Sequence, residues 1–168
     1  MSVCIVYHSE TGTTRTVAER LAAAVRGDLI EVKDLAGYSK VGMYLMGAPR
    51  AMRGKKADIE PAIIALSGYD AVVVGTPVWA GSPTPAINAA VAALAGIEGK
   101  PAFVFCTSGG SPGKTLETMQ AMLAGRGADV RGAVALTARD AREPAAVEAL
   151  VSLVRPLAAG TREAMVSP

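Results

Sequence analysis

Near the start of the chain, Ser9-Glu10-Thr11-Gly12-Thr13-Thr14 places four hydroxyl side chains and a glycine within six residues. Neutral hydroxyl donors at this density suit the binding of an anion better than bond-breaking chemistry. The residues on either side support that reading. Val3-Cys4-Ile5-Val6-Tyr7 is an uncharged β-branched and aromatic run, as a strand buried on both faces requires. After the loop, Val17, Leu21, Ala24 and Val25 recur at helical spacing, which predicts an amphipathic helix starting near Thr13. The first N–H groups of a helix have no partner within it and lie at the positive end of its dipole. With Gly12 allowing close backbone approach, the loop forms a donor-rich cup for a phosphate monoester. Capping alone needs only one of these side chains.

Two further stretches have the same design, each an apolar run ending in a polar, glycine-bearing loop. Asp70-Ala71-Val72-Val73-Val74-Gly75 runs into Thr76-Pro77-Val78-Trp79-Ala80-Gly81-Ser82, which holds the only tryptophan. Ala102-Phe103-Val104-Phe105-Cys106 runs into Thr107-Ser108-Gly109-Gly110-Ser111-Pro112-Gly113. The segment Ser108 to Thr115 misses the GxxxxGK[ST] nucleotide loop only at its first glycine. However, Pro112 removes one N–H that such a loop needs, and no apolar strand ends in an Asp suited to magnesium.

Acid–base and metal chemistry have little material. His8 is the single histidine and reads as loop structure, which excludes a Ser/His/Asp arrangement built on any other histidine. Cys4 and Cys106 sit far apart inside apolar runs and read as buried reduced thiols, with no metal-site spacing. Lys plus Arg number 17 against 15 for Asp plus Glu, too even a balance to argue for nucleic-acid binding. The sequence shows no basic leader and no apolar run of membrane-spanning length, so the expectation is a cytoplasmic protein without an integral membrane segment. With 168 residues and a hydrophobic fraction of 51%, one domain spanning 1–168 is the economical reading, its tail from 160 to 168 loosely held.

The remaining elements follow from pattern. Gly27 is expected to stop the first helix, and Asp28 to Lys33 forms a second strand whose polar residues place it at the outside of the sheet. From Asp34 to Glu60 comes a glycine-punctuated, basic, methionine-bearing stretch. Within it Tyr38, Val41, Leu45 and Met52 could share a helical face, with Arg50, Arg53, Lys55 and Lys56 towards its end. It reads either as a packed connection with a solvated basic tail or as a stretch that docks a partner or covers the site, with Tyr38, Tyr44 or a Met over the ligand. Pro61 is expected to open a short helix, Ala62 to Leu66, and Ser82-Pro83 to cap and start the next one. Later helices are expected from Lys114 to Ala124 and through Val147, Leu150, Val151 and Val154, with Pro156 kinking or ending the last. A fifth strand lies within Ala128 to Thr137. Five alternations of strand and helix, with connections too long for hairpins, predict a parallel sheet with helices on both faces. The loops at Ser9, Thr76 and Thr107 then gather at one end of it, where such sheets bind ligands.

A hydroxyl-rich first loop, an aromatic after the third strand and a glycine-rich loop after the fourth together resemble the flavodoxin family over nearly the whole chain. The resemblance implies a doubly wound five-stranded parallel sheet of order 2-1-3-4-5 in a three-layer α/β/α sandwich, with FMN as cofactor. It implies that Ser9, Thr11, Thr13 and Thr14 bind the FMN phosphate, with Gly12 in the turn and Glu10 contributing chiefly backbone. The third-strand loop Thr76, Pro77, Val78, Trp79, Ala80 and Gly81 would flank the flavin ring, with Trp79 stacked on it, the alternative being a core tryptophan. Thr107, Ser108, Gly109 and Gly110 would offer backbone groups to the pyrimidine edge. In the family a peptide of the third-strand loop turns with the redox state of the ring; here that points to Gly81 as the one residue tolerant of positive φ, unless Gly81 merely completes a turn. Where the family commonly places an outer tyrosine, this chain has Ser111 and Pro112. The stretch before Pro61 is more similar to flavin-dependent quinone reductases. The expected function is an FMN-binding carrier of one or two electrons between redox partner proteins. The alternative is an FMN-dependent NAD(P)H:quinone or nitro-compound reductase acting on a small quinone-like substrate.

Overall fold

The computed structural model describes residues 2–36 and 56–159. The basic residues Arg50, Arg53 and Lys55, the Tyr38–Met52 face and the tail from 160 to 168 lie outside the described residues. Five strands form the main sheet: β1 (Val3–Tyr7), β2 (Asp28–Glu31), β3 (Ala71–Trp79), β4 (Pro101–Ser108) and β5 (Asp129–Thr137). They are all parallel in the order β5-β4-β3-β1-β2, the doubly wound order expected. Four helices connect and cover them: α1 (Thr13–Val25), α2 (Pro85–Ala93), α3 (Thr115–Gly125) and α4 (Pro144–Ala159).

The period-2 alternation of the strands divides the core into two layers. Ile5, Tyr7, Val73, Phe103 and Phe105 pack against Val17, Leu21 and Val25 of α1 and Val147, Leu150, Val151 and Val154 of α4. The intervening Cys4, Val6, Val72, Val74 and Val104 pack on the other face against Ile87 and Val91 of α2 and Met119 and Leu123 of α3. Both faces of β1 are therefore buried, which is why its sequence shows no polar alternation. Gly75 does not end β3. It sits beside Phe105, where a Cβ would come within 2.2 Å of the ring, and the strand continues through Pro77 to Trp79.

Several local expectations are corrected. The segment Ala62 to Leu66 is not a helix: Ile64 and Ala65 form a two-residue strand parallel to Leu94–Ala95. Ile64 and Leu66 are buried and Ile63 is exposed, a period-2 pattern that the run Ala-Ile-Ile-Ala-Leu fits as well as a helical one. The left-handed residue ending α1 is Arg26 rather than Gly27. Gly27 instead passes close to β1, where a Cβ would lie 3.0 Å from the Val3 carbonyl oxygen. The cap of α2 is Thr84, whose hydroxyl accepts from the Ile87 N–H, with Pro85 at the first helical position. Ser82 and Pro83 belong to a short hairpin with Val78 and Trp79. Finally, α4 runs through Pro156 to Ala159, so the proline does not end it.

Candidate functional site

All five parallel strands present their carboxyl ends on one side, and the loops after β1, β3, β4 and β5 meet there. The first loop is organised by Gly12, which takes a left-handed φ of 92° at the start of α1. The Ser9 hydroxyl oxygen accepts from the N–H groups of Gly12 and Arg15, both at 3.2 Å. The Gly12 carbonyl accepts from the N–H and hydroxyl of Thr16, each at 3.0 Å. Among the described residues no acceptor is paired with the N–H of Thr11, Thr13 or Thr14. Successive free N–H groups around a left-handed glycine at a helix start make an anion-binding concavity.

The four hydroxyls differ in their surroundings. Thr11 and Thr13 are 3.4 Å apart at Oγ1 and line the cleft. Thr14 is buried, its Oγ1 2.8 Å from Oγ1 of Thr107, which ties the first loop to the end of β4. Ser9 makes the two contacts just described and lines a second cavity with His8 and Glu10.

The cleft has a volume of about 260 Å³ and is lined by Glu10, Thr11 and Thr13, by Pro77, Val78 and Trp79, and by Thr107, Ser108, Gly109 and Ala138. Nine of the sixteen residues singled out from the sequence thus share one cavity. The others sit around it. Thr76 is fully buried and braces the hairpin, donating to the Pro77 carbonyl and accepting from the Thr84 N–H. Ala80 and Gly81 form the two-residue turn, with φ of 49° and 73°. Positive φ at both positions is what a tight hairpin with native twist demands. Gly81 is therefore not the one left-handed residue in the loop. Gly12 lines an adjoining recess of about 240 Å³ with Thr11, Thr13, Thr16, Ala138, Ala141 and Arg142. Gly110 borders open space, with nothing within 4 Å of a built Cβ.

Trp79 ends a strand instead of standing at a loop tip, and it is 7% exposed while still lining the cleft. Its ring meets His8 edge-on, with centroids 6.2 Å apart. His8 is also buried, and its Nδ1 lies 2.9 Å from the Val32 carbonyl oxygen. The stretch resembling a nucleotide loop is excluded by its own bonding. The N–H of Gly113 goes to the Ser111 hydroxyl, that of Lys114 to the Gly81 carbonyl and that of Thr115 to the Pro112 carbonyl. Those three donors face the protein and not a phosphate.

The β5 loop was not anticipated. Ala138 donates its N–H to the Ser108 carbonyl at 2.8 Å and so closes one side of the cleft. Asp140 accepts from the Thr137 N–H and hydroxyl at 2.8 and 2.7 Å. These bonds hold its carboxyl below the usual carboxylate range. The signal was available: β5 is parallel to its neighbours, so its C-terminal loop must open at the same end.

The model of the NADPH-dependent FMN reductase family matches residues 1–141. The chain belongs to that family. No curated protein matches the sequence. Among solved structures, a Bacteroides eggerthii protein superposes with a TM-score of 0.75 at 24% identity, covering 92% of this chain and 98% of the other. A Lactobacillus acidophilus flavoprotein in complex with FMN gives 0.63 at 24%, covering 80% and 92%. The Megasphaera elsdenii flavodoxin gives 0.55 at 19%, covering 89% and 98%. These likenesses are of fold, and the fold is flavodoxin-like. This member of the FMN reductase family is thus a flavodoxin-like flavoprotein with FMN as its cofactor, and its free N–H groups at Thr11, Thr13 and Thr14 fit the cofactor's phosphate. Among the described residues no helix is long and apolar enough to cross a membrane.

Proposed function

We propose that this protein is an FMN-dependent oxidoreductase that oxidises NAD(P)H and reduces a small quinone-like acceptor. FMN supplies reversible hydride and electron chemistry when bound, and the chain supplies its binding, orientation and access. Thr11, Thr13 and Thr14 hold the phosphate through backbone N–H groups and the outward hydroxyls of Thr11 and Thr13, with Gly12 in the turn and Ser9 keeping it in shape. Pro77, Val78 and Trp79 form one wall for the flavin ring, and the Ala80-Gly81 turn fixes that wall in place. Thr107, Ser108, Gly109 and Gly110 border the opposite loop and offer backbone groups.

The observation that carries the reductase reading is the small size of the fourth-strand loop. No side chain larger than threonine enters the cleft from Thr107, Ser108 or Gly109, and a Cβ at Gly109 or Gly110 would meet nothing within 4 Å. A carrier gains from a covered ring that meets only its protein partners, whereas a reductase must admit nicotinamide and acceptor in turn. Steady oxidation of NAD(P)H with a soluble quinone, by the FMN-loaded protein without a second protein, tests the proposal. A requirement for a separate reductase would support electron carriage between redox partners instead.

A further inference from the structure

We propose that Glu10 and His8 form a proton relay that serves the cleft, with the proton stored on Nε2 of His8. The proposal rests on the reductase reading above and adds acid–base machinery to it.

Hydrogen-bond chemistry fixes the histidine tautomer. A carbonyl oxygen can only accept, so the 2.9 Å contact between Nδ1 and the Val32 carbonyl places a hydrogen on Nδ1. In the neutral ring Nε2 is then a bare lone pair. It is buried and has no hydrogen-bond partner among the described residues, in a residue only 4% exposed. A buried acceptor left unpaired is unfavourable, and a proton placed on Nε2 becomes a donor that needs a carboxylate partner to offset the cost of burying the charge. The group that donor faces is Glu10, whose Oε2 lies 3.7 Å away.

Glu10 stands between two spaces. It lines the cleft with Trp79 and Ser108, and it lines a second cavity of about 340 Å³ on the His8 side. The charged groups facing that cavity are Glu10 from the first loop, Arg15 from α1, Glu31 from β2, and Lys33 and Asp34 beyond it. Arg15 is paired with Glu31. His8 itself also meets the edge of Trp79 and the Val32 carbonyl.

The overall reaction requires such a proton. Reduction of a quinone by NAD(P)H breaks one C–H bond of the nicotinamide and delivers a hydrogen nucleus with two electrons. The product is a hydroquinone, so a second proton must be added: NAD(P)H, one proton and quinone give NAD(P)⁺ and hydroquinone. The Glu10 carboxyl gives that proton to the acceptor oxygen, Nε2–H of His8 restores it, and solvent in the second cavity, which Glu10 also lines, returns a proton to the pair.

Because His8 is the only histidine, its ring is the single imidazole signal in an NMR titration of the FMN-loaded full chain. The expected result is a neutral ring protonated on Nδ1, with an Nε2 resonance that Glu10→Gln moves. Quinone reduction by the wild type should fall as pH rises and the pair loses its proton. Glu10→Gln, and His8→Gln if it folds, should lose that limb and lower kcat by about 100-fold at acidic pH. A neutral ring protonated on Nε2, or an Nε2 resonance unmoved by Glu10→Gln, overturns the relay. So does a quinone-reducing wild type whose pH profile Glu10→Gln leaves unchanged. Failure of the wild type to oxidise NAD(P)H overturns the reductase reading instead, while the titration still reports on the pair.

Discussion

The carbonyl of Gly81 accepts a hydrogen bond from the Lys114 N–H at 2.9 Å, joining the hairpin turn after β3 to the start of α3. The two segments approach so closely that a Cβ on Gly113 would lie 2.4 Å from the Gly81 Cα, and Gly113 itself has a φ of 54°. The Gly81–Ser82 peptide could turn with the redox state of the ring only by releasing Lys114. Gly113→Ala should therefore push the turn away and disturb the Trp79 wall. Its stability should drop by at least the roughly 1 to 2 kcal/mol of a left-handed residue, with weaker FMN binding. Thermal unfolding checks this, with Gly110→Ala, which meets no neighbour, expected to melt like the wild type.

The phosphate cradle makes a ligand-specific prediction. Thr11→Ala and Thr13→Ala each remove one hydroxyl from the cleft, a loss of about 1.5 to 3 kcal/mol for a hydrogen bond to a charged acceptor. Binding isotherms should show that loss for FMN and almost none for riboflavin, which lacks the phosphate.

The Thr14–Thr107 contact predicts non-additive energetics. Either Thr14→Val or Thr107→Val leaves a buried hydroxyl without its partner, at a cost of about 1 to 3 kcal/mol. The double variant should recover much of that loss, because two apolar groups of the same shape need no partner. Urea unfolding of the four proteins completes the cycle.

Most of the scaffold was legible because its strands and helices are long and regular. The uncharged Val3–Tyr7 run, the 3.6-residue spacing of Val17, Leu21 and Val25 and the alternation of strand with helix each admit one reading. Short segments were not legible for a physical reason: Ala62 to Leu66 satisfies both periods, and only its pairing with Leu94–Ala95 selects the strand. The Thr84 cap was misplaced because Ser82-Pro83 and Thr84-Pro85 are equivalent signals, and the hairpin to Val78 decides between them. In the site, the three loops were identified from their glycines and hydroxyls. Ala138 and the His8–Glu10 pairing depend on which strands lie side by side and on side-chain direction, which no local pattern encodes.

Both cysteines are buried, Cys4 within the second core layer, and burial pushes the Cys4 thiol up to about 12 and Cys106 up to about 11 from an ordinary value of 9.0. The unfolded chain loses these protons above pH 9.0 while the native chain keeps them, so the native state binds more protons there. Their contribution is fully present below pH 9.0 and is lost as pH rises through 11 to 12. Unfolding midpoints measured from pH 8 to 10 should fall, and Cys4→Ala should flatten the decline. Native protein at pH 8 should resist thiol alkylation that goes to completion once it is unfolded.

The most direct test of the central claim is anaerobic mixing of the FMN-loaded protein with NADPH, with no other protein present. Direct oxidation of NADPH in the open cleft predicts that the visible flavin absorbance band bleaches in one phase, and that adding a quinone restores it. A band that persists under NADPH and bleaches only after a separate reductase is supplied would contradict the account.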